Sequence, residues 1–163
     1  MLLIEGVDGH LTDQPGLLLT VSVADCVPVS LVDPGRKAVA LVHAGWRGTA
    51  AGIVERAVGR LQQEYGSRAG ELWLHAGPAI CGECYEVGPE VHEAVNPDSP
   101  VPQGRANIDV RAAIARRVMG LGVPAENVTV STHCTRCGEP DFFSHRAGSR
   151  ARQMGVLGMV ERR

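Results

Sequence analysis

No stretch of the 163-residue sequence approaches the ~20 consecutive apolar residues needed to span a bilayer, so a membrane-embedded protein is not expected. Neither sign of charge dominates. With 16 Lys and Arg against 18 Asp and Glu, the net charge of -2 provides no electrostatic footprint for nucleic acid or an anionic membrane surface. The expected partner is a small molecule. Met1-Leu2-Leu3-Ile4 runs into Glu5 and Asp8 with neither a basic flank nor a long apolar core, so it does not read as a signal peptide and a cytoplasmic setting is expected. In that setting five cysteines stay reduced, and an odd count raises no difficulty. There is no internal repeat and no low-complexity segment, and Lys37 is the sole lysine. What remains is an ordinary 44% apolar content over a length that suits one domain, residues 1–163, with its own core.

The pattern along the chain is mixed α/β. Leu17 to Val23, Pro28 to Val32 and Ala38 to His43 are rich in β-branched and aliphatic residues and read as strands, the last two joined by the turn Asp33-Pro34-Gly35-Arg36. Thr49 reads as the N-cap of a helix carrying Ile53, Val54, Ala57, Val58 and Leu61 at helical spacing and ending at Tyr65-Gly66. Leu72 to Ala76 and Val128 to Ser131 are further strands, and Pro89 to Val95 is a short helix. Asp109 caps a helix through Met119, and Asn96 to Asn107 is a surface loop. A helix near Arg146 to Met154 and a strand near Val156 to Val160 close the chain.

The chemistry concentrates in Ser22-Val23-Ala24-Asp25-Cys26-Val27-Pro28 and, one hairpin later, Val42-His43-Ala44-Gly45-Trp46-Arg47-Gly48. Each places one reactive side chain, Cys26 or His43, at a strand end. A paired thiol and imidazole is either a metal site or a nucleophile with its base. Taken singly, Cys26 also suits a small buried apolar residue and His43 a hydrogen-bonded strand end. Asp25 is placed to orient His43, to contact a substrate hydroxyl or to cap a turn. Arg47, between Gly45 and Gly48 where a helix opens, suits a phosphate or other oxyanion. Together Cys81-x-x-Cys84 and Cys134-x-x-Cys137 have the spacing for a Cys₄ structural zinc site, and each alone for a redox pair; the pairs are much further apart than the ~15–20 residues of a compact zinc ribbon, though a folded domain can bridge long loops, so both readings stay open. His10, His75, His92 and His133 read as ordinary surface or partly buried histidines.

Taken in order, several motifs resemble one family over nearly the whole chain. They are Asp8-Gly9-His10-Leu11-Thr12 with Pro15-Gly16-Leu17, Ala24 to Val29, His43 to Gly48, Gly77-Pro78-Ala79-Ile80 with Tyr85-Glu86-Val87-Gly88, Cys134-Thr135, and Phe143-Ser144-His145-Arg146. The family is described both as laccase-like multicopper polyphenol oxidoreductases and as bacterial purine nucleoside phosphorylases, with some members labelled peptidoglycan editing factors. The resemblance implies a layered α/β/β/α fold with mixed sheets, of the Cys-His hydrolase architecture seen in cytotoxic necrotizing factors. It implies phosphorolysis of adenosine, inosine and methylthioadenosine, with adenosine deamination as a second reaction, and zinc held by two His and one Cys. Copper is the less favoured metal, because the chain shows no cluster of His-x-His pairs.

Residue by residue, Cys26 and His43 fall on two of the family's three metal ligands. The implied catalytic set is Cys26, His43 and Arg146. Asp25, Arg47 and Arg146 bind substrate or phosphate. Trp46 and Phe143 are expected in the core or the cleft wall, and His145, where the family usually has an aromatic residue, in packing. Family members carry a segment ahead of the Asp8-Gly9 motif that supplies the first zinc His. A natural short form, a start placed too far downstream and a partial sequence each account for its absence here; in the first case water, His10 or a neighbouring subunit has to take its place, and a homo-oligomer is expected to cover the exposed sheet. Two alternatives remain: a metal-free Cys-His hydrolase or amidase with Cys26 as nucleophile and His43 as base, and a degenerate domain that only binds.

Overall fold

A computed structural model of the chain describes residues 6–138 and 142–160. Met1 to Glu5, on which the reading against a signal peptide rests, lie outside the described residues. Strands β1 (Gly9–Thr12), β3 (Val27–Asp33), β4 (Ala38–Ala44), β5 (Trp73–Ala76) and β8 (Val128–Val130) form a five-stranded sheet in the order β1-β4-β3-β5-β8. All neighbours are antiparallel except β5 and β8, so the sheet is mixed. The expected hairpin joins β3 to β4. The Asp33 Oδ1 accepts the Arg36 N–H at 2.9 Å, and Lys37 takes a left-handed conformation with φ 52°.

Alternation sets the two faces of the sheet. Val27, Val29 and Leu31 of β3 and Ala38, Ala40, Val42 and Ala44 of β4 point to one face and meet the helices α2 (Ile53–Tyr65) and α4 (Val110–Gly120). There Val54, Val58 and Leu61 pack in one core with Ile114 and Val118. Val39 and Leu41 point to the other face, against Leu19, Val21 and Val23 of β2 (Leu18–Val23), which forms an antiparallel ribbon with β9 (Gln153–Gly158). The result is helices, then the main sheet, then a ribbon. Of the expected α/β/β/α order, the second helical layer is not found among the described residues: Leu18, Met154 and Val156 lie exposed on the ribbon's outer face. No described helix is long and apolar enough to cross a membrane.

Other elements follow the expected chemistry or depart from it for definable reasons. Asp109 caps α4, its carboxylate accepting the N–H groups of Arg111 and Ala112. Pro89 opens α3 (Pro89–Val95) at the first helical position, and α2 stops at left-handed Gly66. Thr49, expected as a cap, is instead buried within the one-turn helix α1 (Trp46–Ala50), and left-handed Gly52 separates α1 from α2. The loop after α3 is interrupted only by β7 (Ala106–Asn107), which pairs with β6 (Glu86–Val87). The expected helix near Arg146 to Met154 is a turn followed by β9. The Gly148 N–H bonds to the His145 carbonyl, Ser149 N–H to the Ser144 carbonyl and Ala147 N–H to the Ser144 Oγ, and this local bonding competes with helix.

Leu31 is fully buried at the centre of the strand that leads out of Cys26. Leu31→Ala is expected to destabilise the fold by about 2–5 kcal/mol. The check is a lowered denaturation midpoint with an unchanged denaturant slope; an unaltered midpoint would remove this residue from the core.

Candidate active site

The register of the β3–β4 hairpin builds the centre of the site. Val27 faces Ala44 and Pro28 faces His43, so Cys26, one step before β3, comes opposite Gly45 and shares a face with His43. A Cβ on Gly45 would stand 2.9 Å from the Cys26 sulfur, which is why that position has no side chain. Asp8 then fixes the imidazole. Its carbonyl accepts the His43 backbone N–H at 2.7 Å, and its carboxylate lies 3.0 Å from Nδ1. Nε2 is thereby left as the free ring nitrogen. The Cys26 sulfur is the chief cause of a rise in the His43 pKa to about 9; burial opposes the rise and Asp8 adds to it.

Asp25 does not orient His43; Asp8 has that part. The Asp25 carboxylate instead accepts the Thr135 hydroxyl at 2.7 Å and the Arg146 backbone N–H at 2.8 Å, while its carbonyl accepts the Ile80 N–H at 3.1 Å. One residue thus joins three distant segments. The Arg146 guanidinium stacks 4.8 Å over the ring of Tyr85, a contact worth about 0.5–1 kcal/mol.

These groups open on a cleft of about 350 Å³, whose wall includes Asp25, Cys26, His43, Trp46, Tyr85 and Arg146. That volume lies at the small end of small-molecule sites. His145, expected in packing, is exposed and lines the cleft, and Arg152 lines it as well. Arg47 is not part of the lining: it is exposed, with its guanidinium 4.6 Å over the ring of Trp46, at the rim. Phe143 is 43% exposed and outside the cleft, so it is neither core nor wall. His10 pairs with Leu41 on β1, His75 bonds to Thr129, and neither these nor His92 and His133 line the cleft. Among the described residues, no third His, Cys, Asp or Glu joins Cys26 and His43 as a metal-binding group.

The two Cys-x-x-Cys pairs come together, as the joint reading of their spacing requires. The sulfurs of Cys81, Cys84, Cys134 and Cys137 all lie within 4.8 Å of one another, close enough to hold a metal ion. Burial acts to raise the Cys134 pKa, but N–H groups from Cys137, Cys81 and Arg136 overcome it and bring the thiol down to about 6. Cys84 is pushed up to about 12 by desolvation and by the neighbouring thiols of Cys137 and Cys81.

Asp8, Tyr85 and Arg152 escaped sequence reasoning as site features, while the joint cysteine site, open from sequence, is brought together by the fold. Asp8 and Tyr85 lay inside quoted motifs, so a signal existed; Arg152 lay in none.

In the metal-free protein His43 is expected to keep its proton through neutrality. Its pKa is raised above the ordinary 6.5, so the stabilisation from its contacts is fully present below that value and is lost as pH rises through about 9. NMR titration of the His43 ring should show the raised midpoint, lowered in Asp8→Asn and more so in Cys26→Ala. A midpoint near 6.5 in the unaltered protein would exclude the Cys26 contact.

The family model described as multi-copper polyphenol oxidoreductase laccase matches residues 2–160. A protein named adenosine deaminase RL5, from an unknown prokaryotic organism, is 39% identical over 94% of this chain and 59% of its own length. Purine nucleoside phosphorylase YlmD of Geobacillus stearothermophilus is 37% identical over 97% of this chain and 62% of its own. The crystal structure of YlmD from that organism superposes with a TM-score of 0.90, covering 96% of this chain and 62% of the other. The chain therefore spans about three fifths of the length of these relatives. By sequence and by fold, this chain belongs to the multi-copper polyphenol oxidoreductase laccase family.

Proposed function

We propose that the protein is a purine nucleoside phosphorylase acting on adenosine, inosine and methylthioadenosine, with adenosine deamination as a second reaction. The observation that carries this reading is one cleft joining a thiol–imidazole pair to a guanidinium, Cys26 and His43 to Arg146. The names of the relatives, purine nucleoside phosphorylase and adenosine deaminase, support it.

Cys26 and His43 suit zinc by their donor chemistry. A carboxylate on Nδ1, here Asp8, is the usual support of a metal-bound histidine, leaving Nε2 for the ion. They would supply two ligands, and zinc bound there provides Lewis-acid polarisation of substrate or of a water molecule. The remaining work falls to the chain. Arg146 and Arg152 hold phosphate in the cleft and strip it of water, while Arg47 draws it in at the rim. The stack on Tyr85 limits the freedom of the Arg146 guanidinium and so aims the anion. A phosphate oxygen then bonds to C1′ of the sugar as the bond from C1′ to the purine nitrogen breaks, and the proton of the hydrogen phosphate passes to the departing nitrogen, giving free purine with ribose 1-phosphate, or with 5-methylthioribose 1-phosphate from methylthioadenosine. Asp25 is a positioning residue: its bond to the Arg146 N–H holds the turn that carries the guanidinium.

A second reading is favoured by one observation. Asp8 bonds to the His43 ring, and Cys26 stands on the same face as His43 in the same cleft, the order of a carboxylate, base and nucleophile, which suits a metal-free Cys-His hydrolase or amidase.

Purine release from inosine or adenosine, followed with and without phosphate, tests both. The expected result is release that requires phosphate, with Arg146→Ala lowering kcat/KM for phosphate about 10- to 100-fold, the loss of a charged hydrogen bond, and nucleoside KM changing less. Arg47→Ala should have the smaller effect. Equal release without phosphate sinks the phosphorylase reading. Turnover of amides or esters that survives chelators and stops on alkylation of Cys26 would establish the second reading instead.

A further inference from the structure

The four-cysteine cluster lies apart from the Cys26–His43 centre and plays no part in the chemistry above. Two loops build it. Cys81 and Cys84 flank a short 3₁₀ turn at Gly82–Cys84, with the Cys84 N–H bonded to the Cys81 carbonyl at 3.1 Å. Cys134 and Cys137 flank a turn in which Gly138 N–H bonds to the Cys134 carbonyl at 3.0 Å, and a Cβ at Gly138 would run into that same carbonyl oxygen. The Cys134 sulfur accepts N–H groups from Cys81 at 3.2 Å and from Arg136 and Cys137 at 3.4 Å. Backbone N–H groups turned onto a sulfur stabilise it as a thiolate, the form that binds metal.

The spacing discriminates between fates of the thiols. The Cys81 and Cys137 sulfurs are 3.8 Å apart. A disulfide needs about 2.05 Å. Four sulfurs at ~2.3 Å from a central zinc lie ~3.8 Å from one another along the edges of the tetrahedron. All four cysteines are free. Arg136, inside the second turn, donates to the Cys84 carbonyl at 2.9 Å and so puts a cation beside a centre that would carry excess negative charge.

We propose that Cys81, Cys84, Cys134 and Cys137 bind one structural zinc ion that staples the loop around residues 79–85 to the loop around residues 134–138. Each thiol releases its proton to solvent as its sulfur takes the metal. The coordination is closed, with four protein ligands and no open position, so the ion supplies rigidity rather than chemistry. What it holds rigid is the cleft wall. The first loop carries Ile80 and ends at Tyr85, both lining residues; the second carries Thr135, which fixes Asp25. Between them runs only slight backbone pairing, the Ala79 to Cys134 bridge and the Thr135 N–H to Ala79 carbonyl bond at 3.1 Å. The inference is independent of the nucleoside reaction.

Metal analysis of the purified full chain tests it. The Cys26→Ala, His43→Ala double variant is expected to keep one zinc per chain, and cobalt exchanged into it should give the intense ligand-field bands of tetrahedral cobalt with four thiolates. Cys81→Ser with Cys137→Ser should lose that equivalent, and its unfolding midpoint should fall and cease to respond to a zinc chelator. If those changes prevent folding, Cys137→His, which keeps a ligand at the exposed corner, should retain zinc but shift the cobalt bands toward a three-thiolate pattern. A double variant at Cys26 and His43 that holds no metal, or holds iron, overturns the proposal. So does a disulfide among the four cysteines in protein purified without reductant, or cobalt bands unchanged in Cys137→His.

Discussion

Everything in the cleft depends on the register between β3 and β4. Side chains alternate across a strand, so a slip of one residue would turn His43 toward the helices and leave Cys26 facing alone. The slip is blocked from both sides. Val27, Val29 and Leu31 must meet the helices, Val39 and Leu41 must meet the ribbon, and the four-residue connection from Pro34 to Lys37 fixes the offset. Apolar burial on two faces therefore determines where two polar side chains stand.

Around that hairpin the cleft is assembled by polar contacts over long sequence distances. Asp8 reaches His43 from the sheet edge, and Asp25 gathers Ile80, Thr135 and Arg146 from three separate segments. Asp25 is only partly buried and lines the cleft, so the same carboxylate that ties these segments together also faces the cleft. The glycine opposite Cys26 is a second kind of constraint, one of space rather than bonding.

The inner strands of the sheet and the longer helices are legible because local rules agree with the tertiary result there, whereas the four-residue edge strand β1, with Gly9 and His10 in it, has no strand signal of its own. The alternation in β2 and β3, the apolar stripe of α2, the Asp109 cap and the glycine after Tyr65 each have one interpretation. Thr49 and the tail were misread where local propensity is opposed. Thr49 has the side chain of a cap, yet Gly45 and Gly52 take the cap positions because their backbones suit them, and residues 146–152 have helix-forming composition but meet left-handed Gly148 and two serines that bond the turn. At the site, Cys26 and His43 were legible from their motifs. Orienting His43 is one of three roles the sequence allows Asp25, and the strand pairing gives that role to Asp8 instead. Whether the two cysteine pairs act jointly is open from sequence, because sequence separation says nothing of two loops that the fold brings together.

The cleft draws its wall from residues as distant as Ser22 and Arg152, with Asp8 supporting His43, whereas the β3–β4 hairpin and α2 close within a short stretch. Loop closure over long separations is entropically slower than local pairing, and β8 joins β5 in parallel only after the whole of α4 has crossed over. The β3–β4 hairpin and α2 therefore form before the cleft does. By the same reasoning the turn that carries Arg146, held by its bond to the Asp25 carboxylate and outside the cysteine cluster, is the first part of the wall to open locally, so the guanidinium can leave while the core that positions Cys26 and His43 stays folded.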